Sequence, residues 1–255
     1  MEIVAMHSLR LLAACLLSAA AASLHAQDLA QVCRATSSYD LSLQQGQLVF
    51  DRPQPAPAQV IVAAGTLRTD GQNVPLNAED QDRLSLFQRD LLALVPRVKA
   101  VINHGVDVAV QAAQQEADTL NLDAGTRAEL QRRLDADAAD LHRRVATSQS
   151  THDWHGDAAN QYANQMVADI APLIASALGQ RALGAAMSGD LQQAAALRDQ
   201  AAGLSDGFQS RLQQRLQVLR PEIRALCPAI QRLAQLQDGI RASNGRPLDL
   251  LQVGG

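Results

Sequence analysis

Leu67-Arg68-Thr69-Asp70-Gly71-Gln72-Asn73-Val74-Pro75-Leu76-Asn77-Ala78-Glu79-Asp80 marks the point where the character of the chain changes. Asp70-Gly71 calls for positive φ at two successive residues, which a type I′ hairpin supplies, and a two-residue loop there sets Leu67 opposite Val74. Pro75 has no amide to give a ladder, so it marks a strand end or an edge. Asn77 then offers an N-cap oxygen, with Asp80 three residues on in a box-like position. Sheet therefore precedes this stretch and helix follows it, which predicts an α+β fold.

Upstream, Tyr39, Leu41 and Leu43 alternate with Asp40 and Ser42. Gln45-Gly46 can turn, and Leu48 and Phe50 resume the alternation, as in a hairpin with one buried face. Pro53 to Pro57 cannot sustain a ladder and reads as an exposed connector. Val60 to Ala63 resumes a strand. Residues 27–76 thus predict an antiparallel meander of about four or five strands.

Downstream, Leu84, Phe87, Leu91, Leu94, Val98, Val101 and Val108 recur at helical spacing, with Pro96 expected to kink or split the element. A second helix is expected over 124–146, then a polar break from Thr147 to Thr151. Helix resumes from Asp157 to Leu178, weakened after that by Gly179 and Gly184. Gly189 reads as a stop, Asp190 as a start, and Gly203 to Gly207 as another turn. Leu212, Leu216, Leu219, Ile223, Leu226, Ile230, Leu233, Leu236 and Ile240 form an apolar seam near the heptad period. Such a seam serves a homo-oligomer or packs inside its own domain. Pro221 and Pro228 would kink a coiled coil, which favours internal packing. Residues 27–255 read as one domain, with the helical part over 77–243 and a tail over 244–255.

The first 26 residues have the form of a cleavable signal peptide. Arg10 is followed by an apolar core from Leu11 to Ala22, with Leu24-His25-Ala26 at the cut. Met6 is an alternative start, since Glu2 is unusual in that region. Leu12-Ala13-Ala14-Cys15 also matches a lipoprotein box, but its apolar core would be too short. No later segment has about 18 uninterrupted apolar residues, which leads to the expectation of a soluble exported protein. The chain of 255 residues carries a net charge of −4 without basic clusters. That argues against nucleic acid or anionic lipid as the main partner. Its aromatic residues, only Tyr39, Phe50, Phe87, Trp154, Tyr162 and Phe208, are too scattered for a sugar- or base-stacking surface.

Once the signal is removed, Cys33 and Cys227 remain. In an oxidising compartment they are expected to bridge. Closing a loop of about 195 residues would stabilise by about 5 kcal/mol as an upper figure. Two unpaired small hydrophobes are the alternative. A redox role is disfavoured by the absence of Cys-x-x-Cys.

Two clusters invite chemistry. Gly203-Leu204-Ser205-Asp206-Gly207 matches the nucleophile-elbow pattern, which needs a strand before Ser205. The residues before it look helical, so Ser205 or Asp206 reads better as a cap. His152, Asp153, His155 and Asp157 are the densest set of possible metal ligands, though a polar loop leading to a helix N-terminus has the same composition. His104 and His142 stand singly on predicted helices. Asp135, Asp137 and Asp140 beside Arg132, Arg133, Arg143 and Arg144 read as a solvated face with i,i+4 pairs such as Asp140 with Arg144. No cofactor fingerprint is present.

A signal peptide before Cys33, a meander, Leu76-Asn77-Ala78 opening a helix to Leu94-Val95-Pro96, and Leu226-Cys227 near the end together resemble the YggN-like family. These are exported Gram-negative proteins known as a domain of unknown function. The resemblance is clearest from Gly65 to Ala113 and around Cys227. It implies a periplasmic address, and the family's one cysteine near each end supports the bridge. It brings no activity and no site residues, and it does not cover Pro53–Pro57 or the His152/His155 cluster. The expectation is a non-catalytic periplasmic protein that binds another envelope protein or an apolar ligand. Its rival is a hydrolase or metal-dependent enzyme using Ser205 or the His152/His155 cluster.

Overall fold

The computed structural model describes residues 31–154 and 157–254, with side chains undescribed at 157–165, 167 and 200–210. The fold is α+β, an N-terminal antiparallel sheet followed by helices. Strands β1 (Ala35–Thr36), β2 (Asp40–Gln44), β3 (Gln47–Asp51), β4 (Gln59–Ala63), β5 (Thr66–Thr69) and β6 (Gln72–Asn73) precede α1 (Ala78–Thr119). Then come α2 (Ala124–Thr147), α3 (Asp157–Met187), α4 (Leu191–Leu216), α5 (Arg220–Arg224), α6 (Cys227–Gln237) and β7 (Gln252–Val253). The chain divides into two units. One takes in Asn103–Val145 and Ala159–Leu219; the other takes in 31–102, 146–154, 157–158 and 220–254 of the described residues.

The second of these is the sheet unit. β2 to β6 form one antiparallel meander in sequence order. Asp70 and Gly71 have φ of 49° and 79°, and Val74 donates to the Leu67 carbonyl at 2.9 Å, as the two-residue loop requires. Gln45-Gly46 and Ala64-Gly65 make the same kind of turn, with φ of 49° and 79°, then 46° and 75°. Register places Leu48, Val62 and Leu67 in one cross-strand row and Phe50, Val60 and Thr69 in the next. All six are buried, and so are Leu84, Phe87, Leu91 and Leu94 of α1. The Phe50 and Phe87 rings stand 6.2 Å apart. Asn77 caps α1 as expected, accepting the Asp80 amide at 2.8 Å.

β2 would be an open edge, but residues 149–151 cover it. Leu43 N–H donates to the Gln149 carbonyl (2.8 Å), Leu41 N–H to the Thr151 hydroxyl (2.9 Å), and Ser42 pairs with Ser150. Lys99 holds this segment by donating to the Ala146 and Ser148 carbonyls at 2.9 and 2.7 Å.

The expected single last helix is broken. α4 stops at Leu216, a 3-10 turn covers Gln217–Leu219, and α5 and α6 follow as separate short helices. Pro221 and Pro228 sit in the first turns of the two new helices, where a missing amide costs nothing. Ile223, Leu226, Ile230, Leu233 and Ile240 of the seam are buried within the chain itself. Pro96, by contrast, does not split α1, which runs unbroken through it.

Cys33 and Cys227 are bonded and both buried. Residues 244–254, read from the sequence as a tail, are packed: Leu248 and Leu250 are buried, and β7 pairs with β1. Gln237, only 5% exposed, accepts the Leu250 and Leu251 amides at 2.9 and 3.2 Å and donates to the Leu251 carbonyl. The buried Thr69 hydroxyl donates to Ser243 Oγ at 2.7 Å and accepts the Ser243 amide at 3.0 Å.

The helical unit has its own core. Ala117, Leu120, Leu122, Leu130, Leu134 and Ala177 cluster, with Val110, Ile170, Leu173 and Ile174 packed on them. Asp123 caps α2, its carboxylate accepting the Thr126 amide at 3.0 Å. The solvated face of α2 is laced as read, with Arg144 and Arg143 on Asp140 at 2.6 and 2.8 Å.

Candidate functional site

Residues 150–154 lie on the β2 edge, with a 3-10 turn over Thr151–Trp154. Asp153 accepts from the Ser148 hydroxyl at 3.0 Å, and His152 Nδ1 stands 3.5 Å from Asp40 Oδ2 with its side chain 80% exposed. His155 lies outside the described residues, as does the side chain of Asp157. Among the described residues no group of three His, Cys, Asp or Glu is disposed to hold a metal ion. The described part of the His152 segment closes a sheet edge.

Gly203–Gly207 is not a turn, because α4 runs through it from Leu191 to Leu216. Without a preceding strand the elbow has no geometry there. Nor does Ser205 or Asp206 begin a helix. The N-cap of α4 is Asp190, which accepts the Gln193 amide at 2.9 Å. The helix runs through two mid-helix glycines, each worth about 1 kcal/mol against it.

His142 is held between helices of its unit. Nδ1 lies 2.9 Å from Asn103 Oδ1 and Nε2 lies 3.1 Å from Asp107 Oδ1. Both ring nitrogens are thereby engaged, which suits a bridge between α2 and α1. Hydrogen bonds from Arg132 and then Arg133 hold the Glu129 carboxyl down to about 2. Burial, with the charges of Asp169 and Asp140, pushes Asp137 up. These shifts follow from ion pairing and partial burial on a helix face and set no acid beside a base.

A shallow open cleft of about 650 Å³ lies in the sheet unit, lined by Pro53, Gln54, Pro55, Ala56, Ala58, Asn244 and Arg246. In the same unit the Arg52 guanidinium stacks 4.0 Å over the Tyr39 ring, and Tyr39 donates to the Pro57 carbonyl at 3.1 Å. Arg246 and one amide are its polar side chains apart from Gln54; no nucleophile lines it.

The most unusual surface is elsewhere, at the α3–α4 turn of the helical unit. Leu183, Met187 and Leu191 are 66%, 88% and 71% exposed. Leu183 and Met187 share a face of α3, four residues apart. Every residue from Ala186 to Gln193 is exposed, so the turn protrudes. Within α3, Ala168–Met187 is long and apolar enough to cross a membrane by length and composition, yet only 17% of it is buried. Counting uninterrupted apolar residues passes over this stretch because Asp169 and Arg181 interrupt it. Tolerating two charges in such a window would have found it.

No curated protein and no solved structure matches the chain. The family model described as a protein of unknown function, DUF2884, matches residues 33–251, from the first bridged cysteine to the segment pinned by Gln237. The chain therefore belongs to the DUF2884 family of proteins of unknown function.

Proposed function

We propose that this is a YggN-like exported protein of the periplasm, with residues 1–26 removed as a signal, and that it works by binding rather than by catalysis. The observation that carries this reading is the exposure of Leu183, Met187 and Leu191 on a protruding turn. Large apolar side chains grouped in water are unfavourable, and such patches mark places where something else docks. The two candidate chemical clusters support it from the other side. The helical backbone around Ser205 lacks the elbow, and His152 and Asp153 are engaged at a sheet edge.

The test compares the full exported chain with a Leu183→Ser/Met187→Ser/Leu191→Ser variant. Both are used to capture material from an envelope extract, membranes included. Binding by the parent that the variant loses is the expected result. Equal capture by both, or ester or phosphate hydrolysis lost on Ser205→Ala, would sink the proposal. Mass spectrometry of the mature N-terminus checks the address, with residue 27 first.

A further inference from the structure

We propose that the α3–α4 turn inserts into the surface of a phospholipid bilayer; this rests on the binding role just proposed and names its partner. Three features of the turn favour lipid over a protein groove. The first is charge. From Ala182 to Leu197 the sole charged residue is Asp190, and its carboxylate accepts the Gln193 amide at the start of α4. So neutral a surface has no means of choosing a protein partner electrostatically, and it does not need anionic headgroups.

The second is the backbone. Hydrocarbon tolerates peptide groups only when they are bonded within the protein. The amides that close α3 meet this condition within the turn. Ser188 N–H donates to Gly184 O (3.0 Å), Gly189 N–H to Ala186 O (3.1 Å) and Asp190 N–H to Ala185 O (2.9 Å). On the other side Ala194 N–H donates to Asp190 O at 3.1 Å. Gly189 takes φ of 83°, which lets the chain close these bonds in one tight step.

The third is shape and composition together. The run from Ala186 to Gln193 is exposed at every residue, and a fluid bilayer conforms to such a surface without a matching cavity. The helix leading to it, Ala168–Met187, already has the apolar composition of a membrane segment. Insertion to about 5–10 Å, the depth of interfacial elements, would cover Met187 and Leu191 and leave Asp190, Gln192 and Gln193 at the headgroups.

The experiment is flotation of the full mature chain with phosphatidylcholine–phosphatidylethanolamine vesicles, repeated with phosphatidylglycerol added and at low and high salt. Binding is expected in all four conditions, about tenfold weaker for Met187→Ser alone and abolished in the triple serine variant. A Met187→Trp variant should shift its emission to the blue on vesicles, beyond the background of Trp154. Because these side chains are exposed, the variants keep the parent's circular dichroism and the losses report on binding. Flotation that needs phosphatidylglycerol, or that survives in the triple variant, overturns the inference. Failure to float, while the triple variant still loses a captured protein from the extract, overturns lipid but leaves the binding role standing. Failure of both overturns both.

Discussion

Gly65 and Gly179 should respond in opposite directions to the same change. At Gly65 φ is +75°, and an added Cβ would meet Ser85 Oγ at 2.7 Å and the Gln81 carbonyl at 2.8 Å. Gly65→Ala should cost about 1–3 kcal/mol. Gly179 lies in a helix with nothing within 4 Å of the new atom, so Gly179→Ala should stabilise by about 0.5–1 kcal/mol. Urea midpoints of the two variants check both signs. Gln237 is the buried polar counterpart: Gln237→Leu strands the Leu250 and Leu251 amides and should cost about 2 kcal/mol. What is legible at this scale depends on locality. Asp70-Gly71 announces its turn because both residues tolerate positive φ by themselves. Ala64-Gly65 does not announce it, since Ala64 reaches φ of 46° only because the strands on either side demand it. The partner of Gln237 lies 13 residues away in a segment without periodicity, and no spacing rule reaches it.

Among the elements, α2 carries the pH dependence. Glu129 is held at about 2, below its ordinary 4.5, and Asp140 and Asp123 are also lowered, by Arg144 and by Thr126. A carboxyl lowered on folding stabilises above its unfolded value and loses that contribution as pH falls through its folded value. For Glu129 the window runs from about 4.5 down to about 2. Asp137 is raised and acts in the opposite sense, its ionised form opposing the fold at neutral pH. Protection factors of the α2 amides, taken against intrinsic exchange at each pH, should therefore fall across this acid window, and less steeply in Glu129→Gln. Helix ends were legible where a cap or a break is chemical, as at Asn77 and Asp190. They were not legible in 203–207 or at Pro96, where helix persists through residues that disfavour it. The exposed turn of α3 was hidden for another reason. Apolar composition can be read from sequence, but whether neighbours cover it is a property of packing.

For the whole molecule, the Cys33–Cys227 bond spans a separation of 194 residues within one unit. Replacing both cysteines with serine should lower stability by about 2–5 kcal/mol, read as a denaturation midpoint that matches the parent in reductant. The bond also fixes an order of events. Asn103–Val145 and Ala159–Leu219 form the helical unit and are threaded entirely between the two cysteines. A chain delivered from its N-terminus presents Cys33 early and Cys227 almost last, so the stretch around Cys33 waits long to be secured. β1 waits in the same way for β7. Under the removal of residues 1–26 proposed above, which would take Cys15 with it, Cys33 meets no competing thiol in its own chain during that wait, and oxidation has a single intramolecular destination. Chains stopped before residue 227 should accumulate with Cys33 reduced, which makes the thiol a recorder of whether delivery was completed.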